Sequence, residues 1–182
     1  MLLTCAGLHG TGKTTVAKRI ANEFGLTHYS TGEMFRQMAK EHDMSLAEFN
    51  KYTEAHPEID KELDKRMERV GKEEKDVILD GQLCWYFLDK TADHKILLKC
   101  DQEERISRIL SREREKKEKD ITRDEIRKNT LERERSERER YKEIYGIDIS
   151  DEEFVEEHHD IIIDTTDKNI DQVVDAIINE IE

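Results

Sequence analysis

Residues 7–15 read Gly-Leu-His-Gly-Thr-Gly-Lys-Thr-Thr and satisfy G-x-x-x-x-G-K-[ST] in full. Each position answers to phosphate chemistry. The glycines let the backbone turn so that successive N–H groups point inward at phosphate oxygens. A helix over 14–24 follows and adds the positive end of its dipole. Lys13 brings a compact cation to the β and γ phosphates, and the Thr14 hydroxyl can ligate magnesium. The whole run, Gly7, Leu8, His9, Gly10, Thr11, Gly12, Lys13, Thr14 and Thr15, is assigned to a nucleoside triphosphate. Within it His9 occupies a variable position and is read as a loop residue with no chemistry of its own.

A second candidate closes the run Val77-Ile78-Leu79-Asp80-Gly81. Asp80 is placed to hold magnesium through water, because the strand beside a phosphate loop commonly delivers a carboxylate there. Its other reading is a strand-ending turn residue before Gly81.

These groups need elements to position them. Apolar runs at 1–6, 77–80, 95–100 and 160–164, with a weaker one at 27–30, read as strands. They are nearly continuous in Val, Ile and Leu, as strands buried on both faces are. Helical stretches intervene, which predicts an α/β domain with a doubly wound, five-stranded parallel sheet and right-handed crossovers. Gly25 suits the end of the first helix. Ser45-x-x-Glu48, Thr122-x-x-Glu125 and Ser150-x-x-Glu153 read as capping boxes, and Pro57 suits a first helical turn. Ile170, Val173, Val174, Ile177, Ile178 and Ile181 form one apolar stripe at the C-terminal end.

Composition excludes several classes. A length of 182 residues suits one domain with a small lid. No apolar run reaches the ~20 residues a membrane span needs, and residues 1–10 lack a charged leader segment. Three cysteines, Cys5, Cys84 and Cys100, form no paired framework, so free thiols in a reducing cytoplasm are expected. A net charge of −13 argues against a nucleic-acid partner. Residues 103–143 stand apart, near +2 against about −15 for the remainder. They read either as a solvated helix held by ion pairs or as a phosphate-facing lid. The pair His158-His159 has no ligand cluster nearby and reads as surface.

Longer motifs carry a resemblance. Ser30-Thr31-Gly32-Glu33-Met34-Phe35-Arg36 resembles the monophosphate-binding motif of adenylate kinases, and Leu79-Asp80-Gly81 their second carboxylate motif. Arg108-Ile109-x-x-Arg112 is similar to the approach to the adenylate kinase lid. Residues 35–66, 132–149 and 160–166 resemble the archaeal cytidylate kinase family almost throughout. Cytidylate kinases carry an Arg, a carboxylate four residues on and an Arg three beyond; Arg133, Glu137 and Arg140 match, with Glu for the usual Asp. The match has an accidental reading too, because arginine is abundant there.

The resemblance implies a P-loop nucleoside monophosphate kinase fold over residues 1–182. A monophosphate-binding helical region would lie near 31–72 and a charged helical lid near 112–145. It implies ATP, magnesium and a nucleoside monophosphate, CMP first with dCMP or UMP next, in a cytoplasmic monomer without nucleic-acid or membrane partners. Thr31, Gly32, Arg36, Arg133, Glu137 and Arg140 would bind the acceptor, and Lys13, Arg108 and Arg112 would act on the transferring group. Another acceptor, as in adenylate kinases, and a nucleotide-binding switch or regulatory ATPase are the alternatives. Two departures stand out: Lys13 replaces a threonine-rich loop, and Gln82 replaces a family arginine, which would weaken the acceptor site. Trp85 and Tyr86 read as core, or else as the wall of a base pocket.

Overall fold

The computed structural model describes residues 1–115 and 121–182. Five strands, β1 (Leu2–Ala6), β2 (Thr27–Ser30), β3 (Val77–Asp80), β4 (His94–Lys99) and β5 (Ile161–Asp164), form one sheet in the order β2-β3-β1-β4-β5. Every pairing is parallel, so each connection crosses over. β1 and β3 are buried at every position, as their unbroken apolar runs require. The edge strands β2 and β5 are partly exposed.

Among the described residues the helices are α1 (Lys13–Phe24), α2 (Thr31–Glu41), α3 (Leu46–Glu54), α4 (Pro57–Glu73), α5 (Cys84–Phe87), α6 (Gln102–Glu115), α7 (Arg123–Tyr145), α8 (Glu152–Glu157) and α9 (Ile170–Ile181). One sheet face packs Leu3, Ile78, Ile96 and Leu98 against Val16 and Ile20 of α1 and Val173 and Ile177 of α9. The other face buries Val77 and Leu79 against Met67 of α4 and Leu88. The sheet is thus covered on both sides. Phe35, Met38, Phe49, Ile59 and Leu63 join α2, α3 and α4 into a separate apolar cluster beside the carboxyl ends of the strands.

Local signals explain the boundaries. Gly25 ends α1 at φ 66°, a left-handed conformation that costs glycine little. Ser45 and Thr122 make reciprocal capping boxes with Glu48 and Glu125, and Pro57 opens α4.

Other expectations need correction. Ser150 is not a cap: its hydroxyl donates to Asp148 Oδ1 at 2.5 Å, and the Asp151 side chain accepts from Phe154 N at 3.1 Å to start α8. The charged segment holds two helices, α6 and α7, which bury Ile106, Ile109, Leu110 and Ile126 between them. Part of the expected lid, residues 116–120, lies outside the described residues. Trp85 is core at 1% exposure, whereas Tyr86 is exposed. His159 is buried, not surface: its ring packs tilted against Trp85, and its Nδ1 lies 2.6 Å from Val155 O.

Candidate active site

The phosphate loop leaves β1 at the centre of the sheet, where the chain turns first toward β3 and then toward β4, the crevice in which doubly wound sheets bind ligands. Gly10 and Gly12 hold φ of 88° and 92°, so the turn depends on glycine. A side chain at Gly10 would also strike the carbonyl of Arg105, 2.7 Å from the Cβ position. Arg105, 4% exposed, braces the loop from behind: Nη1 donates to His9 O at 2.9 Å and to Glu134 of α7 at 2.6 Å.

Thr14 and Asp80 meet at this end. The Thr14 hydroxyl donates to Asp80 Oδ2 at 2.5 Å, and His28 Nε2 lies 3.6 Å from the same oxygen. Burial pushes the Asp80 pKa up, but His28, Lys13 and the Thr14 hydroxyl outweigh it and hold the carboxyl below its usual range. A buried, ionised carboxylate beside a hydroxyl is an all-oxygen donor pair, the chemistry magnesium prefers.

One cleft of about 660 Å³ runs from this loop to the helical region. It is lined by His9, Lys13, Thr14, Thr15, Thr31, Gly32, Arg36, Asp80, Arg108, Arg112, Arg133, Glu137 and Arg140. The residues singled out from the sequence are therefore brought together, except Gly7 and Leu8. Those two line a smaller apolar cavity of about 160 Å³ behind the loop. Arg36 is exposed in the second turn of α2, and Gly32, one turn earlier, leaves room for its guanidinium.

The arginines differ in their ties. Arg108 is pinned: Nε donates to Glu104 at 2.8 Å, Nη1 to Thr165 Oγ1 at 3.0 Å and Nη2 to Thr165 O at 2.6 Å. Arg112 keeps 61% of its side chain exposed beside Glu113. Arg140 donates from Nε to Asp60 Oδ2 at 2.7 Å and from Nη1 to Ser136 Oγ at 2.7 Å. Asp60, 5% exposed, sits in the cleft wall on α4. Burial raises its pKa, with Arg140 pulling against that. One turn along, Asp64 accepts from Tyr145 OH at 2.7 Å, and burial pushes it up to about 7.

Glu137, expected in the acceptor site, is also the hub of a set of contacts that the sequence did not reveal. Its Oε1 accepts from Arg133 Nε at 2.9 Å, and its Oε2 lies 2.8 Å from both His9 Nε2 and Gln82 Nε2. Burial pushes the Glu137 pKa up, yet His9 and Arg133 carry it down to about 2. Burial lowers His9 despite Glu137. Two expectations change. His9 is not an idle loop residue, and Gln82 is not simply a missing contact, because both are spent on Glu137. No local pattern in the sequence ties positions 9, 82 and 137 together.

The comparisons with known proteins bear on this geometry. The AAA domain family matches residues 4–142. The cytidylate kinase of Methanocaldococcus jannaschii is 40% identical over 185 residues, covering 100% of this chain and 98% of its own. The cytidylate kinase of Methanothermobacter thermautotrophicus is 43% identical over 165 residues, covering 91% of this chain and 95% of its own. Among solved structures, a shikimate kinase from Aquifex aeolicus superposes with a TM-score of 0.61 at 15% identity, over 99% of this chain and 95% of that one, and shares the fold. With full-length identity of this order and a phosphate loop facing an arginine-lined cleft, the chain belongs to the archaeal cytidylate kinase family, nucleoside monophosphate kinases of the P-loop fold.

Proposed function

We propose that the protein transfers the γ-phosphoryl group of ATP to CMP, giving ADP and CDP. The observation that carries this is the single cleft in which the phosphate loop and Arg36 both lie, so that donor and acceptor phosphates face each other. Residues 9–15 hold the donor, with Lys13 at the phosphates. Thr31, Gly32 and Arg36 seat the acceptor phosphate, assisted by Arg133 and Arg140, and Glu137 faces the ribose. Arg108 and Arg112 follow the transferring group, Arg112 from an exposed position and Arg108 after release from Thr165. Positioning and charge neutralisation supply most of the catalysis in such transfers.

Thr14 and Asp80 suit magnesium, which neutralises charge on the phosphates when it is bound with ATP. The helical region 31–72 and the lid-side helix α7 close over the two nucleotides and keep water from the reacting phosphate. No helix among the described residues is long and apolar enough to cross a membrane. We place the protein in the cytoplasm as a monomer, with ATP and a nucleoside monophosphate as its partners.

Initial rates with ATP, magnesium and CMP, dCMP, UMP, AMP or GMP at equal subsaturating concentration test the reading. CMP should give the highest rate, and ADP should form only when an acceptor is present. A highest rate with AMP would make the chain an adenylate kinase, and slow hydrolysis without acceptor would make it a switch.

A further inference from the structure

We propose that Asp60 reads the base: its carboxylate accepts a hydrogen bond from the 4-amino group of the acceptor's cytosine and so separates CMP from UMP. The inference rests on CMP as the acceptor and deepens that reading.

Phe35, Asn50, Asp60, Leu63 and Tyr141 line the same cleft as Arg36, so the base of an acceptor whose phosphate sits at Arg36 comes within their reach. Phe35 and Leu63, 8% and 5% exposed, give the cleft apolar wall that suits a flat ring. Of the acidic residues that line the cleft, Asp60 is the one on α4. A carboxylate at 5% exposure is costly to bury and needs more than one partner. Arg140 takes Oδ2 at 2.7 Å, while Oδ1 accepts no hydrogen bond among the described residues. An ionised carboxylate can only accept, so what completes it must donate.

Cytosine presents a 4-amino donor at the edge where uracil presents the O4 acceptor. Against Asp60 the first makes a hydrogen bond, and the second sets oxygen against oxygen. Guanine is rejected on the same ground at O6. Adenine carries an amine and is not, so purines as a class must be excluded by size. A matched base-edge contact of this kind discriminates by roughly 10–100-fold.

Asp60 also holds Arg140, and that role alone would affect every acceptor alike, because all share the phosphate. The experiment separates the two. kcat/KM is measured for CMP and UMP at saturating ATP in the wild type and in Asp60→Asn. The amide can donate to O4, so the CMP to UMP ratio should fall by about tenfold or more. An equal loss for both nucleotides, ratio unchanged, overturns the proposal and leaves Asp60 as a support for Arg140. The wild type is also assayed with the 2-pyrimidinone nucleotide, which lacks the 4-amino group. A drop of at least tenfold against CMP supports the proposal even if Asp60→Asn does not fold, and parity with CMP overturns it. Failure of the wild type to phosphorylate CMP at all overturns the acceptor reading, and this inference with it.

Discussion

His9 Nε2 of the phosphate loop and Glu137 Oε2 of the long lid-side helix lie 2.8 Å apart, joining the donor loop to a helix 128 residues away. The carboxylate is buried and ionised, with its pKa carried down to about 2. An unfolded glutamate titrates near ~4.3, so the charge stabilises the fold fully above that value and less as pH falls toward 2. His9 is shifted down by burial, so its contribution is full above an unfolded value of ~6.5 and also fades in acid. Glu137→Gln removes the carboxylate part. Urea midpoints at pH 7 and at about pH 3.5 should therefore fall further in the wild type than in the variant. Equal falls would show that Glu137 is not ionised in the fold.

Lys13→Ala should cut turnover by a factor on the order of 10² or more, since a preorganised cation at developing phosphate charge contributes a few kcal/mol. The side chain faces the cleft rather than the core, so the melting temperature should hardly move. Near-native turnover would remove Lys13 from the donor site.

Asp80→Asn should raise the magnesium concentration needed for half-maximal rate. The Thr14 hydroxyl can still donate to the amide oxygen, so the local geometry survives while the charge is lost. An unchanged magnesium titration would return Asp80 to the role of a residue that ends its strand.

The contrast between what was and was not legible follows from distance along the chain. The phosphate loop was readable because its glycines, lysine and hydroxyl must be contiguous to wrap one phosphate. Strands and capping boxes were readable for the same reason, being written within four to seven residues. Where two caps compete side by side, as at Ser150 and Asp151, the outcome turned on Asp148 capturing the Ser150 hydroxyl. Pairs such as Arg105 with His9 O, 96 residues apart, and Arg140 with Asp60, 80 apart, depend on how α6 and α7 dock. No local pattern encodes that docking. Gln82 shows the consequence: judged by type it was a lost cation, yet in place it donates at 2.8 Å to the carboxylate that His9 also meets.

Arg36→Ala tests the acceptor end. Arg36 is exposed on α2 and lines the cleft across from the phosphate loop, so its removal leaves the core and the donor loop in place. A charge-assisted guanidinium–phosphate contact contributes about 1.5–3 kcal/mol. The acceptor KM should therefore rise at least about tenfold. ATP Kd, measured without acceptor, should stay within about twofold, because no atom of Arg36 is needed to fold residues 7–15. Since every acceptor carries the same phosphate, the CMP to UMP ratio should not change, which separates this variant from Asp60→Asn. A rise confined to ATP Kd would place Arg36 on the donor and reverse the assignment of the two ends of the cleft.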